Sequence, residues 1–227
     1  MSSIRVSLVR HAKVDGKPAL YGHTDVAVAA ERQQAFARAL ADNGYALLPI
    51  VTSPLRRCAD LAKALQALGK EQQSAASPLT HSVSTPATLP VTIEPQWREI
   101  SFGQLDGIAF DEVGEQWSAL EAFWQHPAQH PLPGAETLER FYHRVVNAWQ
   151  AFVADLSQDT LVVMHGGTIR MILAYVLGLD WQNPALFSTL HIENQSITQL
   201  EFYTDESGLV QAQHARVRMI GAPLGAR

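Results

Sequence analysis

A chain of 227 residues, 47% of them apolar and with a formal charge of −5 at pH 7, has the length for one large α/β domain, and its slightly acidic balance argues against nucleic acid as the main partner. The single cysteine, Cys58, excludes an intrachain disulfide and fits a reducing compartment. Val6–Val9 is too short for the core of a signal peptide and Arg170 interrupts the longest apolar run, Ile169–Leu179, which falls short of the roughly 18 residues of a membrane span, so a cytoplasmic protein with no membrane partner is expected.

The elements follow in chain order. Ile4–Val9 is a β-branched run that reads as a strand, ending in Arg10-His11. Val26–Asn43 is alanine-rich and helical, and Gly44 stands where a C-terminal cap belongs. Tyr45–Thr52 reads as a second strand. Ser53-Pro54 then opens a helix from about Leu55 to Leu68. Residues 69–90, rich in serine, threonine, proline and glutamine, read as a mobile surface loop.

Val91–Glu94 is a short strand, and Gly107–His126 looks helical. Glu136–Leu156 is a long amphipathic helix with Leu138, Phe141, Val145, Trp149 and Phe152 near helical spacing. Leu161–Met164 has the pattern of a buried strand and runs straight into His165-Gly166-Gly167, after which Thr168–Leu177 is helical. Gln195–Thr204 and Leu209–Val217 close the chain as strands joined by a turn at 205–208. This alternation predicts an α/β domain spanning 1–227, a three-layer α/β/α sandwich around a mostly parallel sheet. Trp117, Trp124 and Trp149 read as core, and Trp97 as a candidate for a pocket mouth.

Two of the predicted strands end in histidine, His11 and His165. Ligands of open α/β sheets bind beyond the carboxyl ends of strands, so neighbouring strands would bring both histidines to one crevice. Gly166-Gly167 lets backbone amides approach a ligand at a helix N-terminus, a setting for anions. Arg10 and Arg57 supply planar cationic forks suited to phosphate oxygens. Taken alone, each histidine and Glu99 reads equally as an ordinary polar residue. The nine histidines fit no zinc pattern.

These residues carry a family resemblance. Leu8-Val9-Arg10-His11-Ala12 resembles the Arg-His-Gly signature of the histidine phosphatase superfamily, and Tyr21-Gly22-His23-Thr24-Asp25 is similar to the segment that follows it there. Ser53-Pro54-Leu55-Arg56-Arg57 resembles the second arginine motif. The stretch from Arg98 to Gly107 resembles the acid-donor motif, and His165 to Arg170 the second-histidine motif. Within the family the chain looks closest to α-ribazole phosphatases, a placement that Pro133-Gly134-Ala135-Glu136-Thr137 also fits. Alanine at position 12 departs from the usual glycine.

The resemblance implies a phosphoglycerate mutase-like fold and a phosphatase that needs no metal and no cofactor. His11 would be the nucleophile and Glu99 the proton donor, with Arg10, Arg57 and His165 on the phosphate oxygens. Thr24 would add a hydroxyl, and Gly22 and Gly166 backbone amides. The implied partner is a small phosphate monoester. Two alternatives stay open: mutase-type transfer, and a non-catalytic phosphate-binding regulator on the same fold.

Overall fold

The computed structural model describes residues 3–75, 90–203, 210 and 214–224. A six-stranded sheet forms the middle layer, in the order β3-β2-β4-β1-β5-β6. Its strands are β1 (Ser3–Arg10), β2 (Ile50–Thr52), β3 (Val91–Ile93), β4 (Thr160–Met164), β5 (Ser196–Tyr203) and β6 (Ala215–Pro223). The pairs β3–β2, β2–β4 and β4–β1 are parallel, and β5 and β6 extend the sheet as antiparallel neighbours. The principal helices are α1 (Ala30–Asp42), α2 (Arg56–Ala75), α3 (Trp117–Gln125), α4 (Leu138–Ala154) and α5 (Gly166–Leu177), followed by the single turn α6 (Ala185–Ser188).

The side-chain alternation of the central strands divides the core between two faces. Leu161 and Val163 of β4 join Phe36, Leu40, Leu61 and Leu65 of α1 and α2. Val162 and Met164 join Phe141, Val145, Trp149 and Ile172 of α4 and α5 on the other side. A strand covered on both faces buries every residue, and β4 is apolar from Leu161 to Met164. Helix α4 turns one stripe inward, and the Thr137 hydroxyl caps its start by accepting from the Arg140 amide at 3.3 Å. Each large side chain fully buried on that stripe contributes about 1.5–3 kcal/mol relative to exposure. The expected α/β/α sandwich with a mostly parallel sheet is the one observed.

Several boundaries differ from the sequence reading. Tyr45–Leu47 is a 3-10 turn rather than the start of a strand, because the chain leaves α1 through left-handed Gly44 and the Leu47 amide bonds back to the Gly44 carbonyl at 3.3 Å. Helix α2 runs through Gly69 to Ala75, seven residues into the expected loop. A Cβ at Gly69 would stand 2.3 Å from the Ala46 carbonyl oxygen, so this glycine provides a close packing contact and not a stop. The remainder of that loop, 76–89, lies outside the described residues. Gly107–His126 breaks into 3-10 turns before α3, with Gly107 and Gly114 both in the left-handed region. The last strand lies later than Leu209–Val217, at Ala215–Pro223. Arg216 and Arg218 fall on its exposed positions, and the Arg218 guanidinium pairs with Glu201 at 3.5 Å. The 205–208 turn lies outside the described residues. The tryptophan roles are partly exchanged, since Trp97 is buried in the core while Trp117 and Trp124 are each 40% exposed. Among the described residues no helix is long and apolar enough to cross a membrane.

Candidate active site

Strand register builds the site. In the β1–β4 ladder Arg10 faces Met164, so the next residues, His11 and His165, leave the sheet side by side. Their rings meet edge to face with centroids 5.1 Å apart. From β1 the chain passes to the face of α1 and α2, and from β4 to the face of α5, so the pair stands where the connections diverge. That is the position at which open α/β sheets hold ligands. A cavity of about 690 Å³ opens there, with Arg10, His11, Glu99, Gly167, Arg170 and Asn194 among its walls. Its volume falls in the range of small-molecule sites.

The tautomer of His11 follows from its partner. Nδ1 stands 2.7 Å from the carbonyl oxygen of Ala12, which can only accept. Nδ1 therefore carries the hydrogen, and Nε2 keeps its lone pair. The main chain of His11 is tied on both sides, its amide donating to the Met164 carbonyl at 3.2 Å and its carbonyl accepting from the Asn194 side chain at 2.8 Å. The Ala12 methyl is fully buried in the apolar cluster with Val9 and Val28, which accommodates the residue that replaces the usual glycine.

Arg57 and His165 form the layer behind His11 and do not stand on the cavity wall. Arg57 is 1% exposed. Its Nε donates to His165 Nδ1 at 3.2 Å, Nη1 to the Thr24 carbonyl at 3.0 Å, and Nη2 to the carbonyls of Tyr21 and Gly22 at 3.1 and 2.6 Å. His165 Nε2 then carries the other hydrogen and gives it to the Ser53 hydroxyl at 2.7 Å. Cys58 Sγ packs 3.6 Å from that nitrogen, and burial pushes its thiol well up, so it stays protonated.

Burial holds both imidazoles well below the ordinary histidine pKa, and the Arg57 charge adds to this. The unfolded chain therefore takes up protons first as pH falls through about 6.5. The stability from keeping these rings neutral is full above that pH and is lost below it, by up to about 1.4 kcal/mol per histidine per pH unit. The rings of His11 and His165 are expected to stay neutral at pH 6 in an NMR titration, and the urea midpoint is expected to fall between pH 7 and pH 5. A midpoint unchanged over that interval contradicts the assignment.

Glu99 is held at the start of α5. Its Oε2 accepts from the Gly167 amide at 2.9 Å and its Oε1 from the Ile100 amide at 3.0 Å. A Cβ at Gly167 would come within 2.3 Å of Oε1, so only glycine lets the carboxylate sit this close. Arg10 turns Nη1 to the Ile192 carbonyl at 2.5 Å, while its buried Nε has no hydrogen-bond partner.

Thr24 and Gly22 serve a different purpose from the one expected. Asp106 gathers the amides of Gly22, His23, Thr24 and Phe102 at 3.1, 2.7, 2.9 and 3.1 Å, and it also takes the Thr24 hydroxyl. Neither the Thr24 hydroxyl nor the Gly22 amide is free for a ligand. Burial works against the Asp106 charge, but these donors outweigh it and lower its pKa. By this clamp Asp106 holds the 22–24 segment, whose carbonyls receive Arg57. Asp106→Asn puts an N–H₂ among N–H donors and is expected to cost about 1–3 kcal/mol in a urea denaturation experiment. Wild-type stability in this variant would refute the clamp. The carboxylate's contribution is present above about pH 3.9 and lost as pH falls below it.

The structure thus gathers Arg10, His11 and Glu99 at the cavity, places Arg57, His165 and Gly166 off its wall, and sets Thr24 and Gly22 in a supporting loop. The sequence reading gave no role in the site to Ser53, which it took as a helix cap, or to Asp106, Arg170 and Asn194. The first three lie inside the quoted motifs, whereas Asn194 carries no local signal. Among the described residues no three histidine, cysteine or carboxylate groups converge to hold a metal ion.

Known proteins resemble this chain in sequence and in fold. The chain is 32% identical over 127 residues to "Putative phosphoserine phosphatase 2" of Hydrogenobacter thermophilus, a match covering 53% of this chain and 58% of that protein. The chain therefore spans little more than half the length of that relative. It is 28% identical over 187 residues to the adenosylcobalamin/alpha-ribazole phosphatase of Escherichia coli K12, covering 78% of this chain and 80% of the relative. Among solved structures, Bacillus stearothermophilus YhfR superposes with a TM-score of 0.73 at 20% identity, covering 96% and 97% of the two chains, a likeness of fold. The family model for branch 1 of the histidine phosphatase superfamily matches residues 6–214, and the chain belongs to that superfamily.

Proposed function

We propose that this protein is a metal-independent phosphomonoesterase working through a phosphohistidine. The observation that carries the reading is the His11 tautomer: with Nδ1–H on the Ala12 carbonyl, the Nε2 lone pair is available beside a cavity that Arg10 and Glu99 also line. Nε2 attacks phosphorus, and the bond from phosphorus to the leaving oxygen breaks as Glu99 supplies that oxygen's proton. Water then attacks the phosphohistidine and gives a proton to Glu99, freeing His11 and inorganic phosphate. Arg10 at the wall, with Arg57 and His165 behind the nucleophile, stabilises the charge on the transferring group.

For the substrate, α-ribazole 5′-phosphate is the favoured candidate, with α-ribazole as the leaving group. The E. coli relative supports it, as does the aromatic wall of Phe102, Phe123 and Trp124, which suits a flat apolar ring. The test is a panel of phosphorylated metabolites in excess chelator. The expected result is stoichiometric release of inorganic phosphate, with α-ribazole 5′-phosphate turned over at the highest kcat/KM. Phosphoryl transfer to a sugar acid without free phosphate would support the mutase alternative, and activity lost to the chelator would overturn the metal-independent mechanism.

A further inference from the structure

Arg170 takes no part in the chemistry described above, yet its guanidinium reaches the same cavity. It stands on α5, about one turn beyond Gly167, the glycine that admits Glu99. Nε and Nη2 both donate to the Leu190 carbonyl, at 3.2 and 3.0 Å, and the group lies over the Phe187 ring, 5.9 Å from its centroid. These contacts fix its plane and leave Nη1 without a partner among the described residues.

Nη1 points to where Arg10 also converges. A Cβ built on Gly166 would be 2.9 Å from Arg170 Nη1 and 3.2 Å from both Nε and Cζ of Arg10. Two guanidiniums therefore flank one glycine with no carboxylate paired to either within 4.0 Å, among the described residues. Glu99, the one carboxylate on the cavity wall, gives its oxygens to the amides of Ile100 and Gly167. Burial lowers the pKa of both arginines; the Glu99 charge opposes this on each, and the Arg10 charge adds to it on Arg170. Two half-buried guanidiniums share the single nearby Glu99 charge and neither pairs with it at contact distance, so the wall keeps an excess of positive charge that a further anion would offset. Lys13 adds a further positive charge to the wall.

We propose that Arg170 is a substrate-binding residue, whose Nη1 edge takes an anionic oxygen of the substrate beside Arg10. The shared chemistry is an oxyanion, supplied either by the transferring phosphoryl group or by a carboxylate on the leaving group. Binding of the anion completes the guanidinium pair and sets the substrate's orientation against His11. The inference rests on the phosphatase reading only for the identity of the substrate.

The test compares wild type with Arg170→Gln and Arg170→Lys in the full chain, using vanadate binding by calorimetry, and kcat and KM for an uncharged aryl phosphate and for an O-phosphorylated hydroxy acid. A loss of vanadate affinity of about tenfold or more in Arg170→Gln assigns the phosphoryl oxygen. Unchanged vanadate affinity with KM raised about tenfold for the hydroxy acid alone assigns the carboxylate. Either result supports the proposal, and no change in any of these overturns it. Arg170→Lys keeps the charge but not the paired bonds to Leu190. Partial recovery, between Arg170→Gln and wild type, is expected because the charge returns without the planar fork, and binding as weak as in Arg170→Gln would overturn a role for the charge at this edge. The readouts separate the two proposals: vanadate binding that depends on Arg170 without any hydrolysis sinks the phosphatase reading alone, and hydrolysis indifferent to Arg170 sinks this one alone.

Discussion

His11→Ala is expected to lower turnover of an aryl phosphate on the order of 10⁵-fold, with the fold and anion binding retained. The variant removes the one imidazole on the cavity wall that has a free lone pair. His165 cannot replace it: both of its nitrogens are engaged, Nδ1 by Arg57 and Nε2 by Ser53, and it is fully buried. The Cys58 thiol cannot replace it either, since it is buried behind His165 and held protonated. Arg10 and Arg170 remain on the wall, so vanadate should bind the variant within a few-fold of wild type. In rapid-quench experiments with labelled substrate, wild type should accumulate an acid-labile phosphoprotein and the variant none. Turnover near the wild-type rate would remove His11 from the mechanism.

Much of the frame is legible in the sequence for a physical reason. A strand covered on both faces is apolar at every position, and Leu161–Met164 shows this directly. The glycines after His165 mark the place where a backbone must come close to a ligand or carboxylate. What sequence could not show was direction. Arg57 and Arg170 are both arginines in quoted motifs, yet the first turns inward to the carbonyls of Tyr21, Gly22 and Thr24 while the second faces the cavity. That difference depends on the loop at 21–24, which Asp106 holds across more than 80 positions of chain. The acceptor for His11 Nδ1 was equally hidden, because a backbone carbonyl leaves no trace in residue type. The break of Gly107–His126 into short turns and the run of α2 past Gly69 have the same origin. Packing against Ala46 or Thr24 decides whether a glycine ends a helix or sits inside one.

Glu99→Gln is expected to slow hydrolysis by about 10²–10⁴-fold, and the size of the loss should depend on the leaving group. Glutamine keeps the length and planarity of the side chain, but it has one acceptor oxygen where the carboxylate offers two. Only one of the Ile100 and Gly167 amides can then be satisfied, and no proton can be passed to the leaving oxygen. A nitrophenolate leaves without protonation, so formation of the phosphohistidine should be nearly normal with that ester. The hydrolytic half still needs a base for water, so the phosphoprotein should build up in the variant beyond its wild-type level. An alkyl phosphate, whose alkoxide needs a proton to depart, should be slowed already at the first step and show little phosphoprotein. These two patterns separate proton transfer from simple disturbance of the site, which would depress both esters alike and leave no accumulated intermediate. Gly167→Ala offers an independent check, because its methyl would stand 2.3 Å from Glu99 Oε1 and displace the carboxylate without altering its chemistry. It should reproduce the leaving-group dependence in weaker form. Alkyl phosphate hydrolysis unaffected by Glu99→Gln would take this residue out of the proton path, whatever the motif around it.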